Sequence, residues 1–225
     1  MMRRKSDRYD FKLASGSPRR AELLEIVGWN ALCHPVAILE TAYPDEDPPS
    51  FAKRLALEKA KKAVDADSMI VLGADTIVIL GDRILGKPLD QAHAARMLEE
   101  LRGKIHQVIT AIALVDHVHD RSLVEICETD VPMRDYSEEE LKAYIETGSP
   151  LDKAGAYGIQ DGDFYPVDLE TMDGCFANVM GLPLCHVARA FKKLGLVAPD
   201  NLHENCIQHT GYACQAYMEI LQREI

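Results

Sequence analysis

The sequence predicts an α/β fold, an extended mixed β-sheet with flanking helices, and three observations carry that expectation. Strand-type runs rich in β-branched residues alternate along the chain with amphipathic helical stripes. Two long strand-like runs, residues 105–115 and 124–133, are separated only by the polar turn 116–121, so they can lie side by side. The chain has 225 residues and is 47% hydrophobic, enough for one large core or two small lobes, and it shows no internal repeat.

Taken in order, residues 11–14 read as a short buried strand that runs into Ser15-Gly16-Ser17-Pro18. Ser17 is placed there to cap a helix that Pro18 opens. That helix carries Leu23, Leu24 and Val27 toward a core and stops at Gly28, a residue suited to the left-handed position after a helix. A segment rich in proline and acids, residues 43–49, precedes a second helix over 50–64, with Phe51, Leu55 and Ala56 on one side and lysines and arginines elsewhere. Residues 69–72 and 76–80 flank Gly73-Ala74-Asp75 and form either one bent strand or two strand pieces. Asp90 caps a third helix that repeats Ala94, Met97, Leu98 and Leu101 and ends at Gly103. After the two long strands, Ser137 and Glu140 form a capping box ahead of Leu141, Tyr144 and Ile145, and Gly148 ends that helix. Residues 149–181 lack periodicity and read as a functional loop region with short strands. The last regular helix, 184–194, carries Leu184, Val187, Ala188, Phe191 and Leu194 on one stripe, and residues 212–221 are suited to one more helix.

The domain boundaries that follow are a flexible segment at 1–9, one domain over 10–198 and a C-terminal extension over 199–225. A net charge of −11 argues against a nucleic-acid binder, because phosphate backbones are held by an excess of lysine and arginine. The six cysteines are scattered without C-x-x-C spacing, as expected of reduced thiols in a cytosolic protein. The longest apolar candidate, residues 69–80, is broken by Asp75 and Thr76, so no membrane association is expected. The basic N-terminus is followed by a run too short and polar for a signal peptide.

Candidate chemistry begins at Ser15-Gly16-Ser17-Pro18-Arg19-Arg20. Two arginines in a first helical turn oppose the positive end of the helix dipole, so a phosphate group there would offset them. The alternative is that both simply reach solvent or pair with surface acids. Asp75, an acid between two apolar runs, must be either paired or used. Glu40, which ends the apolar run 36–39, has the same character or is merely a strand end. Two such carboxylates can jointly hold Mg²⁺ or Mn²⁺, a cation that takes oxygen ligands and bridges to substrate phosphates. Lys59 and Lys87 are surface lysines by default, and gain interest only as companions of those acids in a site for a metal-bound polyphosphate.

Together these segments resemble the Maf family of nucleotide pyrophosphatases. The resemblance is carried by Leu13-Ala14-Ser15-Gly16-Ser17-Pro18-Arg19-Arg20-Ala21-Glu22-Leu23-Leu24, by Arg54-Leu55-Ala56 with Lys59-Ala60, and by Gly73-Ala74-Asp75-Thr76-Ile77-Val78. It continues through Gly86-Lys87-Pro88, Gly103 with His106-Gln107-Val108 and Thr110, Asp152-Lys153-Ala154-Gly155-Ala156-Tyr157-Gly158-Ile159-Gln160, and Gly181-Leu182-Pro183-Leu184. The resemblance implies two lobes around a cleft, similar to the inosine triphosphate pyrophosphatases, in a cytoplasmic homodimer acting on a nucleoside triphosphate. It implies that Asp75 is the catalytic acid, as general base or metal ligand, and that Glu40 helps hold Mg²⁺ or Mn²⁺. Ser15, Arg19, Lys59 and Lys87 match triphosphate-binding positions. Arg19, Thr76 and Gln160 match positions that distinguish substrate subgroups, and this set looks like the subgroup acting on dTTP and UTP. Gln160 suits a pyrimidine because an amide donates to one edge atom and accepts from another; the alternative is a loop glutamine bonded to backbone.

Two departures stand out. Residues 161–170 are longer and more acidic than the glycine-rich segment usual in the family, which bears on the shape of the base pocket. The extension carries Cys206, His209 and Cys214, either soft-metal ligands or part of an ordinary docking helix. Readings in other classes are a nucleotide-binding regulator of cell division with little turnover, and action on modified purine nucleotides.

Overall fold

A computed structural model describes residues 10–66 and 69–222. The expected flexible segment 1–9 lies outside the described residues. Six strands, β1 (Phe11–Leu13), β2 (Ala31–Cys33), β3 (Ile70–Leu80), β4 (Arg83–Leu85), β5 (Ile105–Asp116) and β6 (Arg121–Pro132), form one sheet in the order β2-β1-β3-β5-β6, with β4 also on β3. The β2-β1-β3 half is parallel, whereas β5, β6 and β4 run antiparallel to their neighbours. The sheet is therefore mixed, and the β5–β6 hairpin is closed by Asp116, whose carboxylate accepts from the His119 backbone N–H at 3.2 Å and from Arg121 at 2.6 Å.

Helices cover both faces because β3 and β5 alternate apolar residues on both. Leu72, Ala74, Val78, Val108, Ile112 and Leu114 enter one core with α1 (Pro18–Ile26), α3 (Gln91–Leu101), α4 (Glu138–Glu146), α5 (Phe176–Val179) and α6 (Leu184–Lys193). Val71, Ile77, Ile79, Ile109, Ala111 and Ala113 enter the other with α2 (Pro48–Lys62). Strand β1 pairs with β3 only at Val71 and Leu72, and β4 only from Val78 onward. Between them, residues 73–77 of β3 have no strand on that side, and the site forms in this gap.

Of the two alternatives for the β3 run, the single strand holds, with Asp75 inside it. Several other expectations are corrected. Glu40 does not end a strand, since residues 34–42 carry no regular structure and the nearby strand is Ala31–Cys33. Ser17 occupies the cap position of α1 without a side-chain cap bond; Ser15 Oγ instead accepts from the Ser17 N–H at 3.1 Å. Two 3₁₀ turns, Ser149–Asp152 and Ala154–Ala156, stand where short strands were expected. The extension holds two helices, α7 (Leu202–Thr210) and α8 (Ala216–Gln222), separated by Gly211 at φ 66°. Leu202 is buried in the main core, and Tyr212 donates to the Met172 carbonyl at 2.6 Å, so the extension docks on the domain. Cys206, His209 and Cys214 form no metal-ligand cluster; His209 lies 3.5 Å from Glu22, and Cys214 donates to the Gly174 carbonyl. Among the described residues no helix is long and apolar enough to cross a membrane.

Candidate active site

Asp75 faces α2, and Gly73, two residues earlier on the same face, sets how close that helix comes. A Cβ at position 73 would lie 2.2 Å from the Ala56 carbonyl oxygen and 2.8 Å from the Ala60 nitrogen, so only glycine permits this approach. The approach brings Lys59 Nζ to 2.6 Å from Asp75 Oδ1 and 2.6 Å from Glu40 Oε1. The irregular segment that carries Glu40 is fastened to α2 by Lys62, which donates to the Ala37 carbonyl at 2.5 Å. The Asp75 side chain is 8% exposed and that of Glu40 is 55% exposed, so the former is the inner carboxylate and the latter stands at the mouth.

Arg20 fills the gap in the sheet. Its guanidinium donates to the carbonyls of Gly181 at 2.8 Å and Ala74 at 3.0 Å, to Ser15 Oγ at 3.2 Å and to Thr76 Oγ1 at 3.0 Å. The relay continues through Thr76 and Thr110, whose hydroxyls lie 2.9 Å apart, to the Asn178 carbonyl at 3.0 Å from Thr110. Burial lowers the pKa of Arg20 and neighbouring Asp75 opposes that shift. Adjacent residues point about 100° apart on a helix, so Arg19 and Arg20 part company. Arg19 faces the groove, 3.2 Å from Asp152, whereas Arg20 is a structural clamp and not the second prong of an anion fork. The hydroxyls of Ser15 and Thr76, expected to meet substrate, are already bonded inside the protein.

One groove is lined by Arg19, Glu40, Lys59, Asp75, Thr76, Lys87 and Gln160, together with Arg20, Asp152, Lys153, Tyr157, Gly158 and Gly181. It continues along Ser15, Gly16, Ser17 and Pro18, where Gln160 no longer contributes. The lining carries Arg19, Arg20, Lys59, Lys87 and Lys153 against Glu40, Asp75 and Asp152, a local excess of positive charge in an acidic protein. Lys87 has no ion-pair partner among the described residues. Gln160 Oε1 is buried without a hydrogen-bond partner, so that oxygen does not accept from backbone. Glu40 and Asp75 both lie within one hydrogen bond of the Lys59 ammonium, so the two carboxylates are close together and are oxygen donors of the kind Mg²⁺ or Mn²⁺ takes.

The segment after Gln160 folds away from the groove. Phe164 is buried and stacks on Tyr144 at 4.3 Å, Val167 bridges Met133, and Arg134 donates to the carbonyls of Phe164 and Tyr165. Of residues 160–170 only Gln160 lines the groove, so the acidic stretch leaves the pocket open. Sequence reasoning gave no site role to Asp152 and Lys153, which line the groove; their charge next to a glycine-rich stretch was the available signal.

Residues 10–194 match the family described as Maf-like protein. The chain belongs to the Maf family. Among its relatives, the dTTP/UTP pyrophosphatase of Citrifermentans bemidjiense is 44% identical over 184 residues, covering 81% of this chain and 94% of that protein. The dTTP/UTP pyrophosphatase of Geobacter sulfurreducens is 45% identical over 184 residues, covering 81% and 95%. Among solved structures, a HAM1 protein from Coxiella burnetii is 19% identical with a TM-score of 0.40, over 56% of this chain and 73% of that one. Helices α7 and α8 lie beyond the residues that match the Maf family.

Proposed function

We propose that this Maf-family chain hydrolyses dTTP and UTP, with modified forms of such nucleotides, to the nucleoside monophosphate and pyrophosphate. One juxtaposition supports this reading: two carboxylates and an excess of cations, Lys87 among them, share a groove with a buried, unpartnered amide oxygen. Asp75, oriented by Lys59 at 2.6 Å, takes the proton from water as the water oxygen attacks the α-phosphorus. The bond from that phosphorus to the oxygen bridging to the β-phosphate breaks, and pyrophosphate leaves. Arg19 and Lys87 offset the charge that grows on the leaving group. Glu40 and Asp75 would hold Mg²⁺ or Mn²⁺, which supplies charge neutralisation of the triphosphate.

At the base, uracil and thymine present an N3–H donor flanked by two carbonyls. Gln160 accepts from the first through Oε1 and donates to one of the second. Cytosine has an acceptor at N3 and its donor on the 4-amino group, so an amide held in the orientation that suits uracil meets mismatched groups on CTP, which costs roughly 10-fold or more in kcat/KM. We also place the enzyme in the cytoplasm as a homodimer, which light scattering tests against the 25.0 kDa chain mass. The activity is tested by incubation with UTP, dTTP or CTP and Mg²⁺ or Mn²⁺, with products separated by ion exchange. UMP and pyrophosphate are expected from UTP; orthophosphate as the first product contradicts the proposed cleavage.

A further inference from the structure

Gln160 is presented by a tight turn whose two ends are tied to a single phenol. The Asp161 N–H donates to the Gly158 carbonyl at 3.1 Å, closing the turn with Ile159 and Gln160 at its centre. Ile159 points into the core and Gln160 lines the groove. Tyr144 Oη donates to Asp161 Oδ2 at 2.6 Å and accepts from the Gly158 N–H at 3.2 Å, so one hydroxyl spans both ends of the turn. Asp161 Oδ2 also accepts from Ser149 Oγ at 3.0 Å and lies 3.3 Å from Lys153 Nζ. A Cβ at Gly158 would lie 2.6 Å from Asp161 Oδ1, so the carboxylate is seated directly on the glycine. The phenol is itself fixed, with its ring stacked on Phe164 at 4.3 Å and 11°. Burial, with Asp161 beside it, raises the Tyr144 pKa, which keeps the hydroxyl a donor.

We propose that Tyr144 and Asp161 are positioning residues for base recognition, holding the 158–161 turn so that the Gln160 amide meets the pyrimidine edge in one fixed register. Neither side chain lines the groove, so their action runs through Gln160. An amide on a loose turn would meet the base in many registers and discriminate little; one on a pinned turn is pre-organised. The proposal rests on the reading that Gln160 recognises the pyrimidine.

A double-mutant cycle tests both and tells their failures apart. Tyr144→Phe removes both hydrogen bonds and keeps the stack on Phe164. It is expected to raise KM for UTP at least five-fold with kcat within two-fold, and Asp161→Ala to do the same. Asp161→Asn, which still accepts from Tyr144 and Ser149, is expected to restore KM to within two-fold of the parent. In a Gln160→Ala background, itself raised in KM at least ten-fold, Tyr144→Phe and Asp161→Ala are expected to add less than two-fold. Full additivity in that background overturns the positioning role while leaving Gln160 as the base reader. An unchanged KM in Gln160→Ala alone overturns the underlying reading and the proposal with it.

Discussion

Gly73→Ala probes the packing that assembles the acid pair. The added Cβ would sit 2.2 Å from the Ala56 carbonyl oxygen, 2.8 Å from the Ala60 nitrogen and 2.9 Å from the Ala60 Cβ. Nonbonded heavy atoms settle near about 3.5 Å, so α2 must retreat from β3 by roughly 1 Å. Two of the obstructing atoms are helix backbone, which no rotamer change can relieve. Overpacking of a core costs about 1–3 kcal/mol, and a backbone clash belongs at the upper end. At roughly 2–4 °C per kcal/mol for a domain of this size, Tm should fall by about 6–12 °C. Lys59 precedes Ala60 on the retreating helix, so its 2.6 Å contact with Asp75 is lost as well. Misplacement of about 1 Å costs on the order of 100-fold in turnover. Thermal denaturation and UTP turnover measure the two effects. Gly86→Ala is the control, because nothing lies within 4 Å of its Cβ, and its stability should stay within about 0.5 kcal/mol. If Gly73→Ala matches that control in Tm and keeps wild-type turnover, the close approach of α2 does not build the site.

Other outcomes follow from the same geometry. Asp75→Asn should fold normally and lose about 10²–10⁴ in kcat, read by pyrophosphate release. Arg20→Lys keeps a charge but loses the planar fork that reaches Gly181, Ala74 and Thr76 together, and should cost about 2 kcal/mol in urea denaturation. His106 and His186 are buried, and burial pulls each pKa down from 6.5 to about 4. Between those values the unfolded chain binds more protons, so stability falls as pH drops from about 6.5 toward 4. At pH 5 the loss is about 2 kcal/mol per histidine. Urea midpoints at pH 7 and pH 5 should differ accordingly, and replacing both histidines by glutamine should flatten that limb.

Much of the sheet was legible because its long strands alternate apolar residues locally and their hairpin closes over a short polar turn. The capping residues Asp90 and Ser137 were also legible, and both accept the expected backbone bonds at 2.7 Å and 3.2 Å. Strands β2 and β4, three residues each, were not, because their existence depends on neighbours that only the folded sheet supplies. Helix α7 carries His203, Asn205, Gln208 and His209 among few apolar residues, so docking and not periodicity makes it a helix. At the site, the charged residue types could be read, but their division of labour could not. That Arg19 faces the groove while Arg20 replaces a missing strand follows from where β1 ends. That Lys59 bridges Glu40 and Asp75 follows from the contact of α2 with a single glycine.

The attack position is the most direct test of the account. UTP is turned over in water enriched in ¹⁸O, and the products are separated and weighed by mass spectrometry. One heavy oxygen is predicted in UMP and none in pyrophosphate, as the proposed attack of water on the α-phosphorus requires. Heavy oxygen in pyrophosphate or in orthophosphate would place the attack on another phosphorus and contradict the assigned geometry of the groove.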